Sequence, residues 1–213
     1  MTLLAVLGWV AAATAMTIGL PQAVRLARTR NVAGLPLASW QGMLAINLGW
    51  SFHGTLIGAP NMVVTNLVGL VSTTVVLALM MKVCSLSLWR AFLPGIGLAA
   101  GIIAVDLWLG SAVFGIASLV PGLVNTVGQA VKLVHSPSVS GVSPGFLFLQ
   151  LLNQILWSAW AVLRTDPGSQ ITSIGLGVVA AFNAVWWTLR RLGLRALFQP
   201  SSEPGEPAPV RAI

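Results

Sequence analysis

Seven stretches of the chain are long and apolar, and the short segments between them hold most of the charged residues and the turn-forming Pro, Gly and Asn. A helix needs roughly 20 apolar residues to cross the hydrocarbon core of a bilayer. Because a bilayer offers no partner to an unpaired backbone amide, each stretch is predicted to be helical. The predicted spans are Leu3–Leu26, Leu37–Ile57, Met62–Val83, Ala91–Leu109, Ala112–Val134, Pro144–Leu163 and Ile171–Leu189.

The sequence contains an internal repeat with an offset of 107 positions. The segment Gln22–Leu26 reads QAVRL, and Gln129–Leu133 reads QAVKL. Nine of the 30 positions from 22 to 51 carry the same residue 107 positions later, and these include Trp50-Ser51 against Trp157-Ser158. A duplicated unit inside a membrane is a common way to build a transporter around a pseudo-twofold axis.

Each copy of the repeat contains three spans, so a direct copy would emerge upside down in the membrane. The fourth span reverses the chain, and both triplets then face the same way. The predicted fold is an all-α integral membrane protein with two parallel three-helix bundles, residues 1–83 and 112–190, and a symmetry axis along the membrane normal. Residues 84–111 form the linker helix, in which Gly97 and Gly101 are expected to provide a small-residue face for close packing.

Composition and charge support a membrane location. Apolar residues make up 56% of the chain and charged residues 7%, whereas a soluble domain carries about a quarter charged residues. The first span is expected to be retained, because no basic residue precedes it as in a signal peptide. The single cysteine, Cys84, excludes an internal disulfide and is read as a small residue near a helix end.

Ten of the eleven basic side chains fall in loops on one side of the predicted membrane, and the exception is Arg164. The positive-inside rule makes that side cytoplasmic, with the N-terminus outside and the C-terminus inside. The net charge of +7 is explained by anionic lipid headgroups rather than nucleic acid. The proline-containing tail, residues 191–213, is expected to be disordered. We expect a multi-pass cell-membrane protein, and the residue usage suggests a bacterium.

An ordered set of residues in the first repeat carries a resemblance to a known family. The set is Pro21-Gln22, Arg28-Thr29-Arg30, Gly34-Leu35-Pro36, Trp50 and Asn66. With its 3+1+3 plan, the chain resembles the full-length SWEET sugar transporters of the PQ-loop family, which also includes the SemiSWEETs. The resemblance implies a facilitative transporter of a small neutral sugar that works by alternating access.

A neutral sugar needs a flat aromatic surface and a few amide or hydroxyl partners. The repeat-related Trp50 and Trp157 would face each other at equal depth, although an interfacial aromatic belt is the alternative. The resemblance makes Asn66 a sugar ligand; the alternative is a hydrogen bond that only joins helices. In the second repeat Ser173 stands at the equivalent position, and Thr172 or Asn183 could replace the missing second Asn.

The prolines are predicted to be mechanical. The resemblance implies one proline for each gating helix, and the chain offers Pro21, Pro36, Pro121 and Pro144. Ordinary helix initiation is an equal alternative for Pro36 and Pro144. The resemblance also suggests that two glutamines bond to backbone near the inner gate, and these are Gln22 and Gln129.

No Asp or Glu is expected at mid-membrane, since Asp106 and Asp166 fall near the outer ends of their spans. His53 is the one candidate proton carrier, and it is interpreted as an unpaired structural residue. Facilitated diffusion is therefore preferred to proton coupling.

Two other classes stay open: a PQ-loop carrier of an amino acid or related solute, and a non-transporting seven-helix receptor. Both would favour charged groups inside the bundle. No metal-ligand spacing, nucleophile–base set or phosphate loop is found, so no enzyme activity or cofactor is predicted. The expected partners are a small sugar and the lipid bilayer, and further copies of the chain are an additional candidate.

Overall fold

A computed structural model describes residues 2–30 and 36–197 of the chain. This part is all-helical and without strands, as predicted, and most of the predicted tail, from residue 198 onward, lies outside it. The predicted spans agree with the observed helices to within a few residues. The helices are α1 Leu3–Thr29, α2 Leu37–Leu56, α3 Pro60–Val83, α4 Leu88–Leu109, α5 Ser111–His135, α6 Pro144–Arg164 and α7 Pro167–Arg191.

The described helices expose large apolar side chains on their surface, and polar side chains are buried between them. Among these residues, α3 to α7 are each long and apolar enough to cross a membrane, and α1 contains a shorter apolar stretch, Leu3–Ile18. Trp108 is 83% exposed and Val71 is 65% exposed, whereas His53 and Asn183 are each 1% exposed. Large apolar side chains that face outward, together with polar groups that are buried, fit a protein embedded in lipid.

Local sequence sets where the helices begin. The side chains of Ser87, Ser143 and Asp166 each accept a hydrogen bond from the backbone amide three residues later, which satisfies a donor that the first helical turn leaves unpaired. Pro36 is the N-cap of α2 and Pro144 is the first residue of α6. Both prolines therefore occupy initiation positions, one of the two roles that the sequence left open.

The helices of the two repeats pack in the same order. In the first repeat α3 contacts both α1 and α2, and in the second α7 contacts both α5 and α6. Between the repeats, α1 contacts α6 and α2 contacts α5. The helix α4 packs mainly against α2 and also against α5 and α3. Because α1 corresponds to α5 and α2 to α6, the two contacts between the repeats are equivalent to each other.

The helices α5 and α7 run parallel in one constant register. Thr172, Asn183 and Arg190 of α7 each donate a hydrogen bond to the backbone carbonyl of the α5 residue 57 positions earlier. The donor–acceptor distances are 2.9, 3.1 and 2.9 Å. Donor and acceptor stay 57 positions apart along both helices, which requires that the two helices run in the same direction.

The prediction that Gly97 and Gly101 form the packed face of α4 is wrong. A Cβ added at either position would meet nothing within 4 Å among the described residues. The close approach lies instead at Gly95, where a Cβ would stand 2.8 Å from the backbone oxygen of Gln41 in α2. A spacing of four residues gave the right periodicity, but it did not say which face of α4 meets its neighbour.

Replacing Gly95 with alanine should therefore destabilise the protein, and replacing Gly97 should not. The Gly95→Ala methyl group overlaps the Gln41 carbonyl, and overpacking of this kind costs about 1–3 kcal/mol. Gly97→Ala adds a methyl in open space to the same helix, where alanine is the better helix former. Thermal unfolding midpoints in detergent measure both. Equal losses in the two variants would contradict the packing of α4 described above.

Candidate functional site

Trp50 lies in a packed cluster between α2 and α5. Its side chain is 9% exposed. Its ring stands edge-on to Phe114 of α5, with centroids 4.6 Å apart and an interplanar angle of 72°. Phe114 is fully buried and also stacks on His53 at 4.6 Å. In this conformation Trp50 therefore contacts protein on its edge and does not line an open cleft.

Trp157, its partner in the repeat, reproduces the same local geometry. Trp50 is edge-on to His53 with centroids 5.5 Å apart, and Trp157 is edge-on to Trp160 with centroids 5.4 Å apart. His53 and Trp160 are themselves separated by the repeat offset of 107 positions. Trp157 packs against the same buried cluster that contains Trp50 and Trp160. Both predicted tryptophans are thus brought to one apolar core.

Asn66 and Ser173 behave alike in the two repeats. The Asn66 side-chain amide donates to the carbonyl of Met62 at 2.8 Å, and the Ser173 hydroxyl donates to the carbonyl of Ser169 at 2.6 Å. Each bond stays within its own helix. Within the described residues, no hydrogen bond or ring contact joins either side chain to Trp50 or Trp157.

The two suggested substitutes for a second Asn are already used in packing. Thr172 bonds the carbonyl of Gly115, and Asn183 bonds the carbonyl of Thr126. Both side chains therefore join α7 to α5. In this conformation their buried hydroxyl and amide groups serve to hold the two helices together.

The predicted gating residues lie along α1, α2, α5 and α6. The helix α1 continues through Pro21 and Gln22, whose side chains are outside the described part of the structure. Pro121 is inside α5, and its Cβ lies 3.9 Å from the position of a Cβ on Gly42 of α2. Gln129 is half-buried further along α5. The hinge role of these residues stays a prediction.

His53 is paired, and the interpretation of an unpaired histidine is wrong. Its Nδ1 lies 2.8 Å from a carboxylate oxygen of Asp106, and its Nε2 lies 3.1 Å from a carboxylate oxygen of Asp166. All three side chains are buried. We call these three residues the outer triad. It lies at the outer end of the molecule, defined as the end where α2, α4 and α6 finish.

Asp166 is held by further donors at the start of α7. Its carboxylate accepts hydrogen bonds from the Ser111 hydroxyl at 2.5 Å and from the Ser169 amide at 3.0 Å. Burial alone would raise the pKa of this carboxyl, but the bonds from His53, Ser111 and Ser169 favour the charged form more strongly. The pKa of Asp166 is therefore held well below its ordinary value, and the group is a carboxylate near neutral pH.

Arg164, which belongs to the second repeat, bonds to the first repeat at the outer end. Its guanidinium, at the end of α6, donates to the carbonyl of Ile57 and, at 3.4 Å, to that of Gly58. These carbonyls belong to the C-cap residue of α2 and to the residue after it, where a helix end leaves acceptors unpaired. Arg164 thus bonds the second repeat to the first next to the outer triad.

Sequence reasoning missed the outer triad because its members are 53 and 113 residues from His53 along the chain. One signal was available. His53, Asp106 and Asp166 were each predicted to lie near the outer end of a span, so all three were expected at one depth. Periodicity could not say which helix faces bring them together.

Two cavities of the described chain lie away from the predicted pocket. One, of about 210 Å³, is formed between α6 and α7 and is lined by residues such as Phe148 and Leu189. Another, of about 470 Å³, lies at the other end beside Pro137 and Arg195. Neither is lined by the predicted binding residues. A solute site between the tryptophans would therefore need a more open conformation.

No protein-family model matches this chain, and no curated protein matches it. The resemblance to SWEET transporters rests on the chain's own residues. Within the described residues, no group of three or more His, Cys, Asp and Glu side chains could hold a metal ion. The outer triad does not form one because its carboxylates bond opposite nitrogens of the imidazole ring.

Ser111 and Ser169 give a matched test of the site around Asp166. The Ser111 hydroxyl donates to Asp166 and accepts from the Gly168 amide at 2.9 Å. Ser111→Ala leaves two buried groups unpaired and should lower stability by about 1–3 kcal/mol. The Ser169 hydroxyl has no hydrogen-bond partner within the described structure, so Ser169→Ala should be neutral or stabilising. Chemical unfolding in mixed micelles compares the two, and the opposite ranking would refute these contacts.

Proposed function

We propose that the chain is a membrane carrier that moves a small neutral sugar down its gradient by alternating access. Its two three-helix bundles, α1–α3 and α5–α7, would face the same way, with α4 as the linker. The supporting observation is the equivalence of the helix contacts. The third helix of each triplet lies against the other two, and α1 meets α6 as α5 meets α2. A pseudo-twofold axis along the membrane normal accounts for both facts.

Side-chain contacts support the same symmetry. A Cβ on Gly8 of α1 would stand 2.7 Å from Asn61 of α3, and a Cβ on Gly115 of α5 would stand 2.6 Å from Gly168 of α7. Gly8 and Gly115, like Asn61 and Gly168, are 107 positions apart. Together with the paired tryptophan geometry, these contacts favour a duplicated unit with two equivalent halves.

The substrate class is inferred from the chemistry of the predicted pocket. Trp50 and Trp157 supply aromatic faces, and Asn66 and Ser173 supply an amide and a hydroxyl without fixed charge. Such groups suit a neutral polyhydroxylated solute. A zwitterionic amino acid would require an oppositely charged group in the pocket. The charged groups of the outer triad bond to one another, so they favour no such substrate.

The closed outer end suggests which state of the cycle is described. Arg164, the outer triad and the cluster around Trp50 join the repeats at that end. In an alternating-access cycle these contacts would break when the carrier opens outward, and the tryptophans would become exposed to the solute. We assign the described conformation to an outward-closed state.

Asn66→Ala should abolish most transport without unfolding the protein. The Asn66 amide bonds only its own helix, so stability should change little. Losing a hydrogen bond to the solute costs about 1–3 kcal/mol, which lowers flux by about fivefold to about a hundredfold. Uptake of labelled sugars and amino acids into proteoliposomes measures this, with Trp157→Ala as a second pocket variant.

The matched control is Ser72→Ala, which removes a similar bond to the carbonyl of Val68 in the same helix. It should transport normally. Normal sugar uptake by both Asn66→Ala and Trp157→Ala would disprove the proposed pocket. Uptake of amino acids in place of sugars would support the wider PQ-loop alternative.

A further inference from the structure

The two contacts of His53 in the outer triad require one more proton than these three residues ordinarily hold at neutral pH. Both ring nitrogens of His53 lie within hydrogen-bond distance of a carboxylate oxygen, at 2.8 and 3.1 Å. A hydrogen bond needs a hydrogen, so two must be present. A neutral imidazole between two carboxylates supplies only one. The second proton is therefore held within the triad, between the ring and the carboxylates that face it.

The proton is held at a contact between the two repeats. His53 belongs to α2, Asp166 stands at the junction of α6 and α7, and Asp106 belongs to α4. Opening the outer end must separate α2 from that junction. The other groups facing this site are uncharged, namely Ser111 and Phe114 of α5 and the Ser169 amide of α7. Nearby Arg164 is bonded to backbone carbonyls.

We propose that His53, Asp106 and Asp166 form a proton-binding site whose occupancy holds the outer end closed. When His53 and Asp166 separate, water reaches the carboxylate and the shared proton has no second acceptor to stabilise it. The proton then leaves to the outer side, from which it also binds. Protons therefore regulate opening without being carried across, which is consistent with uniport. This inference rests on the proposed function for its two-state cycle.

A neutral variant of the same shape separates this site from a purely structural cluster. In Asp166→Asn, the amide can donate to Nε2 of a neutral His53 while Nδ1 donates to Asp106. The closed contact then forms without the extra proton, at the expense of the hydrogen bond from the Ser169 amide. The asparagine oxygen can still accept from Ser111. Asp106→Asn is a second uncharged variant, should Asp166→Asn fold poorly, because its amide can donate to Nδ1 while Nε2 of a neutral His53 donates to Asp166.

The experiment follows the distance between the two repeats as pH changes. Spin labels are attached at Leu56→Cys and Leu163→Cys, which are exposed at the ends of α2 and α6, in a Cys84→Ala background. Pulsed electron paramagnetic resonance in lipid nanodiscs from pH 5 to 9 gives the fractions of closed and open molecules. One linked proton should change the closed-to-open ratio by up to about tenfold for each pH unit, with the closed form favoured at low pH.

Asp166→Asn and Asp106→Asn should lose this dependence, and His135→Gln, which removes the other histidine of the chain, should keep it. A wild-type ratio that does not vary with pH would overturn the proposal, as would an unchanged pH dependence in both triad variants. Sugar flux, measured for the same labelled proteins in proteoliposomes, keeps the two proposals apart. A pH-dependent distance without flux would refute only the sugar carrier, and flux with a constant distance would refute only the proton site.

Discussion

Most of the buried polar side chains that the structure describes find a hydrogen-bond partner within the protein, as a surrounding bilayer, which offers none, would require. Many do so by donating to a backbone carbonyl of a neighbouring helix. The Asn153 amide reaches the carbonyl of Ala11 at 3.0 Å and joins α6 to α1, and the Gln41 amide reaches the carbonyl of Arg90 at 2.7 Å and joins α2 to α4. Since hydrophobic burial does not drive helices together within lipid, such bonds and close packing select the neighbours and fix their register.

The outer end of the molecule concentrates these bonds. Arg164 binds carbonyls of the α2–α3 loop, and Asp166 caps α7 while it holds His53 and Ser111. Apart from the cap itself, each bond joins elements that come from different parts of the chain. A cluster that bridges both repeats and contains three ionisable groups is costly to separate in a nonpolar setting, but it can be released when water enters. That combination suits a closure that forms and breaks during a transport cycle.

Much of the fold could be predicted from the sequence because two of its determinants appear as linear patterns: the length of each apolar span, which matches the bilayer thickness, and the constant offset between the repeats. Span positions, helix starts at Pro144 and the equivalence of Trp50 and Trp157 follow from local pattern and spacing. What failed depends on helix rotation and on long-range contact. The packed face of α4 is at Gly95 rather than Gly97, and His53 meets two carboxylates that no local pattern connects to it. The binding roles of Asn66 and Ser173 rest on the resemblance and on the repeat.

The proposed carrier requires that the second three-helix bundle has the same orientation in the membrane as the first. The native cysteine allows a direct measurement of this orientation. Cys84 is exposed at the end of α3, and Arg191 stands at the equivalent position, 107 residues later, at the end of α7. A membrane-impermeant maleimide is applied to right-side-out and inside-out vesicles that contain either the native chain or a Cys84→Ala, Arg191→Cys variant. Like-oriented triplets predict that both cysteines react only from the cytoplasmic face. Reaction of the two cysteines from opposite faces would mean inverted repeats and would contradict the proposed carrier.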